Sequence, residues 1–105
     1  MAQFDVHRNP GKQAAVPYVV VVQSKIFDTY RRRVVVPLVK RAVFGAPLSA
    51  RLNPAFTVRK DVVVLHPLDI VSVPREALGK PISSLEQHGS SILDALDTLL
   101  TRAYG

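Results

Sequence analysis

Cysteine is absent from this chain, and with it go disulfide frameworks, thiolate nucleophiles and cysteine-based zinc or iron–sulfur sites. Glycine is scarce, five residues in 105, and none sits in a phosphate-cradling loop, a dinucleotide fingerprint or a Gly-x-Ser-x-Gly nucleophile elbow. Long apolar runs are missing too. The longest, Ala14 to Val22, has nine residues, about half of the ~20 needed to cross a bilayer. The opening Met1-Ala2-Gln3-Phe4-Asp5 lacks a signal-peptide shape, so a soluble, cytoplasmic protein without membrane association is expected. The three histidines, His7, His66 and His88, are scattered without a metal-ligand spacing. Structural or surface roles are expected for them, and no metal or cofactor.

What is present fits a single domain spanning residues 1–105, with 48% apolar and 21% charged residues. So short a chain builds a modest core, which makes dimerisation attractive. Charge is divided unevenly. Residues 1–60 carry 11 Lys/Arg against the two acids Asp5 and Asp28, whereas residues 61–105 carry three against six. The basic half offers a surface for nucleic acid, an anionic membrane or an acidic protein segment, and charge alone does not choose among them.

Seventeen valines and eight dispersed prolines favour short, interrupted strands, because β-branched side chains suit a pleated surface and proline cannot donate to a ladder. The pattern predicts strands at 3–7, at Tyr18 to Gln23 (apolar through Val22, hence buried on both faces), at Arg32 to Val36 ended by Pro37, and at Asp69 to Val73. A hairpin is predicted where Phe56-Thr57-Val58 and Val62 to Leu65 flank Arg59-Lys60-Asp61. Ala42 to Leu52 is predicted to be a loop or small excursion.

From Ser83 the period changes. Ser83 and Glu86 match a capping box, and Leu85, Ile92, Leu96, Leu99 and Ala103 follow at helical spacing, with Leu93 and Leu100 widening the stripe. An amphipathic helix lying on the sheet is predicted, secure from about Ser90 to Arg102 because Gly89 weakens the first turns by about 1 kcal/mol relative to alanine. Asp94 and Asp97 fall opposite the apolar stripe, where solvation is the default. Arg31-Arg32-Arg33 crowds positive charge before a strand. It is either a solvated turn with one arginine paired to Asp28, or a site for capturing a phosphate or an acidic peptide.

Val22-Gln23-Ser24-Lys25-Ile26-Phe27-Asp28-Thr29, followed by Arg31-Arg32-Arg33-Val34-Val35-Val36-Pro37-Leu38, resembles the signature of the CcdB toxin family. Gln3-Phe4-Asp5-Val6, Leu52-Asn53-Pro54, Asp69-Ile70-Val71-Ser72-Val73-Pro74 and the Asp94-Ala95-Leu96-Asp97 run of the terminal helix are similar in the same order. The resemblance implies a mainly β, α+β fold: an SH3-like barrel of antiparallel strands with a small accessory sheet and a C-terminal α-helix, paired as a homodimer.

It also implies the toxin of a toxin–antitoxin module that binds the DNA gyrase A subunit and traps its cleaved-DNA complex without chemistry of its own, so not an enzyme. A cognate antitoxin with an acidic disordered tail would neutralise it and co-repress the operon with it, so that DNA is met indirectly. Gyrase contacts carry over to Ile26 and Phe27. The family's second contact, a terminal glycine followed by a large apolar residue, aligns without gaps on Arg102 and Ala103, and Ala103, Tyr104 and Gly105 are the residues expected to serve there. The antitoxin tail is expected on a basic face formed by Arg8, Lys12, Arg41 and Arg51. Two alternatives remain open at this point: an mRNA endoribonuclease of the related MazF-like fold, and a family member that binds antitoxin but no longer poisons gyrase.

Overall fold

The computed structural model describes residues 2–47 and 49–101. Seven strands, β1 (Asp5–Arg8), β2 (Tyr18–Val21), β3 (Arg32–Lys40), β4 (Ala55–Val58), β5 (Asp61–Leu65), β6 (Val71–Pro74) and β7 (Ser83–Ser84), pair antiparallel in one sheet. The sheet curls into a nearly closed barrel, with a C-terminal helix packed on it. The order is β4-β5-β3-β2-β1-β7, and β6 joins as a branch on β3.

Register explains why the apolar residues lie where they do. Val20 stands opposite Val6 on one side and Val36 on the other, and all three are fully buried in the main core with Leu38, Val63 and Leu65. Alternate residues Val19, Val21 and Val35 point to the other face of the sheet, where Leu78 buries them and Val73 packs alongside. β2 is therefore buried at every position, as its unbroken apolar run predicts. The cover on its second face comes from the same chain, through the segment that returns from β6 to β7, and needs no partner subunit.

β3 runs straight through Pro37, so the predicted stop there is corrected. The N–H of Val22 donates to the carbonyl of Val34, and that of His66 to the carbonyl of Pro37. The backbone of residue 37 thus faces the edge of β3 opposite β2. On that edge β6 pairs with Arg32 to Val35 and β5 with Leu38 to Lys40. Pro37 falls in the gap between them, where its missing N–H costs no ladder bond.

The predicted hairpin forms as β4–β5, but Asp61 joins the strand opposite Val58 and leaves a two-residue turn in which Arg59 takes a positive φ of 56°. A four-residue helix, α1 (Arg41–Phe44), opens the excursion after β3. The predicted strand at Asp69 begins later, at Val71, because Pro67–Asp69 winds into a 3-10 turn closed by the N–H of Ile70 on the carbonyl of Pro67.

The helix α2 (Gly89–Thr101) starts close to the predicted secure limit, but the capping box does not form. Ser83 belongs to β7, opposite Val6, and the N–H of Leu85 still donates to the carbonyl of Phe4. It is Ser84 Oγ that accepts from the N–H of Glu86, at 3.1 Å, and a 3-10 turn over Glu86–His88 precedes the helix. Ile92 and Ala95 are fully buried on the sheet, with Leu96 packed beside them. Leu93 and Leu100, expected to widen that stripe, lie one position round the helix from it and are exposed.

Candidate functional site

The connection from β2 to β3 carries the most exposed apolar side chain of this region on a closely braced support. Ser24 caps a single 3-10 turn, Lys25–Phe27, accepting from the N–H of Ile26 through Oγ. The N–H groups of Phe27, Asp28 and Tyr30 then close on the carbonyls of Ser24, Lys25 and Phe27 at 3.0–3.1 Å. Gln23 ties this turn to the barrel: its amide nitrogen donates to the carbonyl of Phe27 (3.1 Å) and its amide oxygen accepts from the N–H of Val34 (3.0 Å). Ile26, at the tip, is 79% exposed. Phe27 meets Tyr30 edge to face, with ring centroids 5.5 Å apart at 86°, a favoured aromatic geometry.

Beside the turn lies an open, mostly apolar concavity of about 700 Å³ lined by Val22, Phe27, Tyr30, Arg31 and Val34 among others. Its rim is cationic. Arg31 is exposed, whereas Arg32 is held to β6, donating to Ser72 Oγ and to the carbonyl of Ser72, both at 2.8 Å.

The three arginines thus part company. Arg33 is buried, 2% exposed, and donates to the backbone carbonyls of Asp28, Tyr30 and Arg32. The expected pairing of an arginine with Asp28 is corrected: the partner is the main-chain oxygen of Asp28. A triple-arginine anion site is also excluded by geometry, since one guanidinium is enclosed and one is committed to Ser72.

The basic residues expected to form one face come from different segments of the chain. Arg8 ends β1 and is exposed. Lys12 lines a second concavity, of about 340 Å³, with Val19, Val35 and Asp69. Arg41 lines a third, of about 500 Å³, with Phe56 and His88. Arg51 makes a two-pronged bond to Asp94 on α2, both contacts at 2.7 Å, which also corrects the expectation that Asp94 is merely solvated. That bond raises the Arg51 pKa above its ordinary value, the hydrogen bond first and the carboxylate charge second.

The histidines occupy three separate places. His7 is buried, with Nδ1 2.8 Å from the carbonyl oxygen of Gly79. His66 faces Asp69 at 3.3 Å, and His88 packs on Phe56. Among the described residues no group of three or more His, Asp or Glu could hold a metal, and no helix is long and apolar enough to cross a membrane. Ala103, Tyr104 and Gly105, the expected second contact, lie outside the described residues.

The sequence from residue 3 to residue 102 matches the family model of the CcdB protein. This chain belongs to the CcdB family. The match covers nearly the whole chain and takes in the braced turn, both buried faces of β2 and all of α2. As a CcdB-family protein it is a toxin of the toxin–antitoxin class, and among the described residues its most exposed large apolar side chain is Ile26. Sequence reasoning singled out Ile26 and Phe27, which the structure places on this exposed turn. It missed Gln23 and Arg33 as supports, because nothing in a linear pattern marks a polar side chain that folds back on its own loop.

Proposed function

We propose that this CcdB-family toxin binds the DNA gyrase A subunit through Ile26 and Phe27 and traps the complex in which DNA is cleaved. The observation that supports this reading is the 79% exposure of Ile26 at the tip of a turn closed by successive backbone hydrogen bonds. Side chains that are apolar, exposed and already fixed in place lose little entropy on docking, which is how interface anchors concentrate binding energy. No bond is made or broken by the toxin. A surface that fits the cleaved complex better than the religated one shifts the population toward cleavage by its differential affinity alone.

Ala103, Tyr104 and Gly105 are proposed as the second gyrase contact. A cognate antitoxin with an acidic disordered tail is proposed to neutralise the toxin through Arg8, Lys12, Arg41 and Arg51 and to co-repress the operon with it. Opposite charge would offset part of the ordering cost of such a tail and speed its association. The active form is proposed to be a cytoplasmic homodimer, whose mass by light scattering would be twice 11.5 kDa.

Expression in bacteria tests the module as a whole. Growth should stop when the chain is produced alone and recover when the neighbouring antitoxin gene is co-expressed. Normal growth at verified soluble levels would contradict the reading, and site-specific cleavage of a mixed-sequence RNA by the purified protein would replace it with the endoribonuclease.

A further inference from the structure

We propose that Arg33 is a positioning residue for the apolar tip: its enclosed guanidinium holds residues 28–32 in the shape that presents Ile26 and Phe27. This rests on the reading of that turn as the target-binding element. The loop between the 3-10 turn and β3 directs two main-chain oxygens at one side chain, and the first residue of β3 adds a third. Nη2 donates to the carbonyl of Asp28 at 2.7 Å, and Nη1 to those of Tyr30 and Arg32 at 2.6 and 3.0 Å.

Two of the acceptors, Asp28 and Tyr30, belong to this loop and the third, Arg32, opens β3, whereas the Arg33 backbone is a ladder residue of β3, opposite Val73. The side chain therefore fastens the loop to the barrel from inside. A buried cation is normally matched by a carboxylate. Among the described residues Arg33 makes no ion pair, so the carbonyl dipoles it gathers are its compensation. Donation from two separate nitrogens uses the forked geometry of a guanidinium; a lysine ammonium has the charge but donates from a single nitrogen. Only the main-chain oxygen of Asp28 takes part, so the carboxylate of Asp28 is dispensable to the brace.

Three proteins test this by amide hydrogen exchange: wild type, Arg33→Lys and Asp28→Asn. In Arg33→Lys the amides of Phe27, Asp28 and Tyr30 should exchange about tenfold faster or more, while those of the β4–β5 ladder keep wild-type rates, because loops open independently of core strands. Asp28→Asn should leave the three amides as they are in wild type. Affinity of Arg33→Lys for purified gyrase A subunit should fall by about tenfold or more, the loss expected when an anchor is no longer preset.

Unchanged exchange at residues 27, 28 and 30 in Arg33→Lys would overturn the proposal. So would equal acceleration throughout β4 and β5, which would make Arg33 a general core residue. Side-chain NMR of the wild type decides the matter even if the variant does not fold. The Nη protons of Arg33 should be resolved and slow to exchange, unlike those of exposed Arg31, and averaged Arg33 signals would contradict the brace. Ile26→Arg separates the two layers: wild-type gyrase affinity in that variant would refute the turn as the target contact, while the exchange data would still decide whether Arg33 holds it.

Discussion

Gly89 and Phe4 meet so closely that a Cβ on the glycine would stand 2.7 Å from the Phe4 ring. The first turn of α2 is thereby seated on the residue that leads into β1. Phe4 is itself unusual, a bulky residue with φ of 71°, a conformation held only where surroundings over-determine it. Here its N–H donates to the carbonyl of Val21 at 2.6 Å and its carbonyl accepts from Leu85 at 2.9 Å, while its ring is buried in the main core.

Gly89→Ala therefore sets two effects against each other. Helix propensity favours alanine by about 1 kcal/mol, and overpacking in a filled core costs about 1–3 kcal/mol. The clash should win, giving a net loss of about 1 kcal/mol in urea unfolding. A more stable variant would show that the helix can lift away from Phe4 without penalty.

A second relationship gives a pH dependence. Tyr18 Oη donates to Asp61 at 2.6 Å, which raises the phenol pKa above its ordinary 10.0; the hydrogen bond is the main cause, then burial and the carboxylate charge, against opposition from Arg8 and Arg59. The folded state thus holds this proton more tightly than the unfolded chain. The contribution is complete below the unfolded value and is lost as pH climbs from 10.0 toward the raised folded one. Tyr18→Phe should cost about 1–2 kcal/mol at neutral pH, and the gap from wild type should narrow in strongly alkaline solution. A gap independent of pH would remove the Asp61 bond from the account.

The bond from Arg51 to Asp94 joins the segment before β4 to α2. Both side chains are nearly half exposed, so the link should be sensitive to salt. A partner's carboxylate reaching Arg51 finds its charge already paired with Asp94 through Nε and Nη2. Arg51→Ala should consequently weaken antitoxin binding less than Lys12→Ala does, as measured by calorimetry at equal ionic strength. The reverse order would make Arg51 the antitoxin's principal anchor.

Much of this architecture was legible in the residues alone. The apolar run from Tyr18 to Val22 announced a strand buried on both faces, and Arg59-Lys60-Asp61 between two apolar runs announced the hairpin, because those features are set within a few residues. Pro37 misled for the opposite reason: whether a missing N–H matters depends on which strand lies alongside, and β5 and β6 come later in the chain. Ser83 misled likewise, since β1 claimed it for the sheet before the helix could use it as a cap. At the site, Ile26 and Phe27 stood out through a resemblance of motif. The brace of Gln23 and Arg33 did not, because its acceptors are main-chain oxygens that carry no residue identity.

The central claim is that the turn of Ile26 and Phe27 engages gyrase, and a gyrase cleavage assay on supercoiled DNA tests it most directly. Ile26 is exposed, so Ile26→Arg should change stability by no more than about 0.5 kcal/mol. Wild type should accumulate cleaved DNA. Ile26→Arg, folded and still bound by antitoxin, should accumulate little or none, because a charge stands where an apolar contact is required. Equal cleavage by both proteins would contradict the role of the turn. No cleavage by wild type, where another family toxin is active in the same reaction, would leave a CcdB-family protein that binds antitoxin without poisoning gyrase.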